Sequence, residues 1–327
     1  MQLCLIPLTG PFQLRHPAYN AVTVKDTVNA FKPDALALTD LAADAFDTPS
    51  WQDTPEIALA LSVIPWAKRK GLPSYGVLEP SPDTTALETF RRYAKEYPAV
   101  GERFRQVESK LRPVADKVEE TLSLARILEE LLPLIQDYQQ FREAQLEDGP
   151  ATDWLHARLK KMAERILALP HERVAVLASL DHYPFLLDSL KDKADILPPP
   201  SVEASEESRE RSLFDFAFRT DVPEPANLIA KLRDVNKPEA RYHEANLLLA
   251  NGHIAEALEL LEKASQGNFS EPYFLPGYLL ARLGQLYDLA GQRDAALRSY
   301  RGVRALSYAP LDALEVAEQG LDKPFKG

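Results

Sequence analysis

Three residues of the C-terminal third recur at one fixed distance. Gly252, Ala257 and Leu261 are matched by Gly291, Ala296 and Tyr300, each 39 residues further on. Self-similarity at such a period confines a chain to a stack of like units, because each unit buries its apolar face only against a neighbour. The unit here reads as a pair of helices. Small residues on the first helix (Ala245, then Gly284) and on the second (Ala257, then Ala296) let the pair approach closely. A glycine between them supplies the positive φ that a tight turn needs. Two copies, from about Pro238 to Leu321, bury too little surface to stand alone. The segment Leu213 to Leu232 and the N-terminal domain are expected to supply the missing neighbours, with Leu311 to Leu321 as a capping helix. Within that segment Phe214, Phe216 and Phe218 alternate, as in a strand or along one side of a distorted helix, and are expected to be buried.

The second copy, with Leu283-Gly284, Tyr287, Gly291, Ala296 and Tyr300, resembles the tetratricopeptide pattern. The usual period of that repeat is about 34 residues. The excess is expected to lengthen the turn around Gly267 to Pro276. The resemblance implies a surface that binds a protein or peptide.

The first 80 residues alternate between two apolar patterns. Gln2 to Leu8 is a short continuous apolar run closed by Thr9, Gly10 and Pro11, the pattern of a buried strand. Val22 to Phe31 has helical spacing. Asp34 to Leu38 is strand-like again, Thr54 to Lys70 helical with Gly71 just past its end, and Ser74 to Leu78 a third strand closed by Glu79-Pro80. Strands and helices alternating at these spacings predict a parallel sheet with right-handed crossovers, hence an α/β domain. From Phe104 apolar residues follow at Val107, Leu111, Val114, Val118, Leu122, Ala125, Leu128, Leu132 and Ile135, an amphipathic stripe. Pro113 and Pro133 should break it, so a helical hairpin inserted at about 84–149 is expected, packed on the domain rather than forming a coiled coil. Asp153 reads as the cap of a helix reaching Leu169. Arg173 to Leu180 is the strongest strand, followed by a helix from Phe185 to Leu190 and a last strand at Lys193 to Leu197. The α/β domain thus covers about 1–200, an acidic, serine-rich linker 201–212, and an all-α repeat domain 213–327.

Composition narrows the function. A net charge of -11 argues against sequence-independent nucleic-acid binding. The single cysteine, Cys4, excludes an intrachain disulfide framework and a cysteine-only zinc site, and reads as a small buried residue. No apolar run approaches a membrane-spanning length or the form of a signal peptide, so the expected setting is cytoplasmic, with no membrane partner. With 13 glycines there is no phosphate-binding glycine loop. Trp51, Trp66 and Trp154 read as core or rim aromatics, and His156, His171, His243 and His253 as surface or loop histidines.

Open parallel sheets bind ligands at the carboxyl ends of their strands. Those ends carry Thr9-Gly10, Thr39-Asp40, Glu79 and Asp181-His182, with His16 shortly after the first. Carboxylates and histidines together could hold a divalent metal and activate water. His182 could instead act as a general base held by Asp40 or Glu79. Such residues also serve simply to satisfy loop backbone and cap helices, as Asp181 could.

The stretch Arg158-Leu-Lys-Lys-Met162-Ala163-Glu-Arg-Ile166, then a strand and Asp181-His182-Tyr183-Pro184, resembles the C-terminal signature of the TraB/TIKI-type superfamily. Lys32-Pro33-Asp34-Ala-Leu-Ala-Leu resembles its second strand and Gly71-Leu-Pro-Ser-Tyr-Gly-Val-Leu-Glu79 its third. That group includes metal-dependent TIKI proteases, with erythromycin esterases and ChaN-like haem-binding proteins as distant relatives. The resemblance spans about 1–200 in scattered pieces. It implies catalytic roles for His182, Glu79, Asp40 and Arg158, and metal ligation by His16, Asp40, Glu79 and His182. The departures are specific. Where the family has Gly-x-x-His after the first strand, this chain has Gly10-Pro11-Phe12-Gln13, and His16 is displaced by three positions. Where it has an acidic residue at the end of the second strand stands Thr39, with Asp40 beside it. Two readings follow. One is an interaction or scaffold protein whose hydrolase-like domain has become a pseudoenzyme without cofactor. The other is a metal-dependent peptidase or esterase using Mn or Zn, with His16 and Asp40 as substitute ligands.

Overall fold

The computed structural model describes residues 1–79, 97–146, 150–218 and 225–326. The chain divides into two compact units, Met1–Ser208 and Arg209–Gly327.

The first unit is built on a five-stranded sheet in which every pairing is parallel. Its strands are β1 (Gln2–Leu8), β2 (Ala35–Leu38), β3 (Ser74–Gly76), β4 (Arg173–Ser179) and β5 (Asp195–Ile196), in the order β3-β2-β4-β1-β5. The α/β class and the parallel sheet predicted from the alternating patterns therefore hold. The central strands read as continuous apolar runs because both faces are covered: Leu3, Cys4, Ile6 and Leu8 of β1 and Val174 to Ala178 of β4 have no exposed surface. Burial pushes the Cys4 thiol up to about 12, as suits an inert core residue. From β1 the chain crosses β4 to reach β2, and from β4 it crosses β1 to reach β5. Neighbouring strands thus send the chain in opposite directions, and the carboxyl ends of β1 and β4 flank the crevice where open sheets bind ligands.

The helices depart from expectation where prolines intervene. Helix α1 (Ala21–Phe31) starts at Asn20, whose side chain accepts from the Val22 and Thr23 amides. The predicted helix at Thr54 to Lys70 instead comprises a π-turn at Leu59–Val63 and then α2 (Ile64–Lys70). Pro65 falls in the first turn after the π-turn, where its missing N–H and its ring cost least. Pro133 is accommodated likewise, directly after a π-turn at Ile127–Leu131 that leads into a helix at Leu132–Leu146. Pro113 lies near the start of Leu111–Glu119, which is separate from the preceding helix Pro98–Ser109. These breaks shift the apolar stripe. Val107, Val118, Leu122, Leu132 and Ile135 are buried as expected, but Leu111 and Ala125 are exposed and Ile127 and Leu131 take the core positions. Residues 80–96 and 147–149, which include Pro80, the start of the predicted insertion and Gly149, lie outside the described residues. The next helix runs Pro150–Leu167, so Asp153 lies inside it rather than at its cap, because proline suits a first helical position. The helix after β4 starts at Tyr183 and ends at Leu190.

Trp51 and Trp66 sit at the rim of the core, as read from the sequence, but with cations over them: Lys68 Nζ lies 5.9 Å from Trp51 and 4.1 Å from Phe46, and Lys70 Nζ 5.0 Å from Trp66. The expected acidic linker is only partly a linker. A helix occupies Glu206–Ala217, since Ser205 Oγ accepts from the Ser208 amide at 3.1 Å and Glu206 and Glu207 complement the positive helix end.

The second unit is helical. Helices Pro225–Val235, Pro238–Ala250, Ile254–Ser265, Leu275–Leu289, Arg293–Ala305 and Leu311–Asp322 follow one another, each packed on the next in sequence. The turns between the second and third and between the fourth and fifth contain Gly252 and Gly291 at φ 81° and 72°, the left-handed conformation anticipated for both. Ala257, Ala296, Leu261 and Tyr300, the recurring residues, have no exposed surface. The phenylalanine run is helical to Ala217. Phe214 is buried, Phe216 is half-buried, and Phe218 meets His243 edge-on at 4.5 Å and Phe274 at 5.1 Å. His243, expected at the surface, is therefore a core residue, stacked on Phe214, edge-on to Phe218 and Tyr242, and 3.7 Å from Glu239. No helix among the described residues is long and apolar enough to cross a membrane.

Candidate functional site

Four strand ends meet at the carboxyl edge of the sheet, and the residues there separate into two groups. Asp40 and His182 belong to the first. Asp40 Oδ1 lies 3.8 Å from His182 Nδ1, with both side chains largely buried. Thr39, at the end of β2 and without exposed surface, donates its hydroxyl to Asp40 Oδ2 at 2.7 Å. The same Oγ1 accepts the Ser179 amide at 3.3 Å and stands 3.2 Å from His182 Nδ1. Ser179 Oγ is 2.9 Å from Nδ1 as well. Serine, histidine and aspartate are thus adjacent but do not form a nucleophilic triad, which requires serine and carboxylate on opposite ring nitrogens. Here both approach Nδ1.

Electrostatics reflect the enclosure. Burial is the largest cause holding the His182 imidazole below its ordinary value; Asp40 pulls it up and Arg158 pushes it down again. Arg158 is half-buried, and burial lowers its affinity for a proton against the fields of Asp40 and Glu79. Arg158 therefore shares a neighbourhood with Asp40, His182 and Glu79. Asp181 is exposed, its carbonyl accepts from Gln139 Nε2 at 2.8 Å, and the helix that follows has no side-chain cap, so Asp181 does not serve as one.

Glu79 and His16 are engaged by other residues. Glu79 is ion-paired with Arg165 and, at 3.2 Å, with Lys161. His16 is buried, and its Nδ1 accepts the Leu122 amide at 3.3 Å, which ties the turn after β1 to the helical insertion. Burial, reinforced by Arg15, lowers the His16 imidazole to about 4. Gln13 is also buried. Its Oε1 accepts the Thr9 hydroxyl at 2.8 Å while its amide group donates to the Tyr19 carbonyl. The four residues expected to ligate a metal are not brought together, and no cluster of three or more His, Cys, Asp or Glu side chains among the described residues could hold one. Only Asp40 and His182 meet.

A residue that the sequence reading passed over stands in this neighbourhood. Glu56 is buried, and its Oε2 accepts the Gly10 amide at 2.8 Å. Burial, then the charge of Asp40, pushes its carboxyl up to about 8. The only local signal was Thr54-Pro55-Glu56, an acidic residue at a helix start, where the Thr54 hydroxyl accepts the Glu56 amide at 3.2 Å. Glu56→Gln keeps an acceptor for Gly10 and removes the titrating proton. The folded carboxyl binds its proton more tightly than the unfolded one, so its stabilising contribution is full below about 4.5 and lost as pH rises through about 8. The variant's stability is expected to rise progressively over that of the wild type across this window, then to hold a constant lead. Parallel curves of unfolding free energy against pH for the two proteins would contradict it.

No family model, curated protein or solved structure matches the chain.

Proposed function

We propose that this is an interaction or scaffold protein, in which a hydrolase-like α/β unit has become a pseudoenzyme and tetratricopeptide-type helix pairs bind a protein or peptide. The observation that carries the first half is the fate of two of the four candidate ligands: Glu79 is neutralised by Arg165 and Lys161, and His16 is spent on the Leu122 amide. A metal needs several unprotonated ligands converging on one point, and one carboxylate with one imidazole is too few for a closed site. For the second half, support comes from the recurring small residues and turn glycines of the helix pairs. A groove lined by Leu213, Phe216, Leu228 and Val235 supplies apolar surface of the kind peptides use. This reading needs no cofactor.

The alternative, a peptidase or esterase of the TraB/TIKI kind using Mn²⁺ or Zn²⁺, draws support from one contact, Asp40 with His182 beside Arg158. Turnover separates the two. With ester and peptide substrates in the presence of Mn²⁺ or Zn²⁺, hydrolysis is expected at the buffer rate and unchanged by His182→Gln. Metal-dependent hydrolysis that disappears in His182→Gln would establish the alternative.

A further inference from the structure

We infer that Thr39 is a positioning residue that holds the neutral His182 ring with its proton on Nδ1, so that Nε2 faces outward as an unprotonated hydrogen-bond acceptor and base. A threonine hydroxyl has one proton to give. At Thr39 that proton goes to Asp40 Oδ2 at 2.7 Å, a charge-assisted bond and the shorter of the two available. Oγ1 is then left only with lone pairs. One faces the Ser179 amide at 3.3 Å and another faces His182 Nδ1 at 3.2 Å. Two electron-rich oxygens therefore look at Nδ1, Thr39 Oγ1 and, at 3.8 Å, Asp40 Oδ1. A proton on that nitrogen meets Thr39 Oγ1 as a hydrogen-bond acceptor and Asp40 Oδ1, beyond hydrogen-bond reach, only through its charge. Ser179 Oγ, at 2.9 Å, adapts to either tautomer because its hydroxyl turns freely.

The contacts of the His182 ring with Ser179, Thr39 and Asp40 all run through Nδ1. His182 keeps 9% of its surface exposed, and Nε2 is the ring nitrogen that these three contacts do not use. The line Asp40–Thr39–His182 is a carboxylate–hydroxyl–imidazole relay, in which the hydroxyl bridges a gap too wide for a direct hydrogen bond. Its outer end would meet a weakly acidic O–H or N–H, that of water, an alcohol or an amide. This inference goes beyond the scaffold reading, which stands or falls on metal binding and turnover rather than on the tautomer.

Long-range ¹H–¹⁵N correlation spectra of the full chain, recorded at a pH where histidine is neutral, report the tautomer of each of the six histidines. His182 and His16 are assigned by the signals lost in His182→Gln and His16→Gln. His16, whose Nδ1 accepts the Leu122 amide, gives the opposite tautomer as an internal reference. The expected result is an Nδ1–H tautomer at His182, kept in Thr39→Ser and Ser179→Ala and shifted toward Nε2–H in Thr39→Val. An Nε2–H tautomer in the wild type would overturn the inference, as would a folded Thr39→Val with the wild-type tautomer. Should Thr39→Val fail to fold, the wild-type, Thr39→Ser and Ser179→Ala spectra decide: Nδ1–H in all three supports the inference, and Nε2–H in any of them overturns it.

Discussion

Arg211→Met is expected to destabilise the helical unit by about 3–5 kcal/mol, the usual cost of removing one partner from a buried ion pair. Arg211 is buried, its Nε 2.6 Å from Asp215 Oδ1 and its Nη1 2.8 Å from Glu239 Oε1, with the Phe214 ring 5.2 Å from the guanidinium. Two carboxylates share this one cation. Burial already pushes Asp215 up to about 6 in its presence, whereas Arg211 and His243 hold Glu239 below its ordinary value. Without the guanidinium Asp215 would face the interior unpaired and Glu239 would be left with the His243 imidazole. Amide hydrogen exchange along Tyr242–Leu248 reads this unit by itself, and protection there should fall by the corresponding factor. Replacing Arg211, Asp215 and Glu239 together by apolar residues should recover most of the loss, because no uncompensated charge remains. Unchanged protection in Arg211→Met would mean that water, not the arginine, solvates the carboxylates.

The second large effect concerns a ring held between two glycines. A methyl group on Gly284 would lie 2.3 Å from Tyr300 Cε1, and one on Gly320 would lie 2.3 Å from Tyr300 Cζ. The ring has little room to retreat. Tyr300 has no exposed surface, and its hydroxyl donates to Asp288 Oδ2 at 3.0 Å. Asp288 is itself fixed by Arg293 Nη1 at 2.9 Å and the Phe325 amide at 2.9 Å. Alanine in place of a helical glycine ordinarily gains about 1 kcal/mol in propensity. Here overpacking of about 1–3 kcal/mol opposes that gain, and the rigid ring places the cost at the upper end. Gly284→Ala and Gly320→Ala should therefore each lower stability by about 2 kcal/mol net, and Tyr300→Leu should relieve both. Denaturation midpoints at or above the wild-type value in either alanine variant would contradict the packing described.

These two examples show what a sequence conveys and what it withholds. Gly284 was legible as a small residue at a helix contact, because the recurrence with Ala245 marks it. That it receives an aromatic ring, itself backed by Gly320, depends on three helices meeting and leaves no local trace. The strands were legible where both faces are covered, as in Gln2–Leu8 and Arg173–Ser179, since a continuous apolar run has few other uses. The candidate site was half legible. Strand ends placed Asp40 and His182 correctly at one edge, and the contact between them follows from β2 and β4 being neighbours. His16 was misjudged because distance along the chain is a poor guide beyond a tight turn. The 3-10 turn Gly10–Arg15 ends just before it, and the ring is engaged by Leu122, 106 residues away. Glu79 lies three residues past the end of β3, which stops at Gly76 rather than at the expected Leu78, and cations from the helix Pro150–Leu167 reach it first. Glu56 approaches Gly10 from 46 residues away, and no spacing rule records such a contact.

Titration of the full chain with Zn²⁺ and with Mn²⁺ by isothermal calorimetry is the most direct test of the claim that this sheet edge does not form a metal centre. Wild type and His182→Ala should give the same weak or absent heats, because Asp40 and His182 alone do not close a site. Sub-micromolar binding that vanishes in His182→Ala would contradict the account and restore the hydrolase.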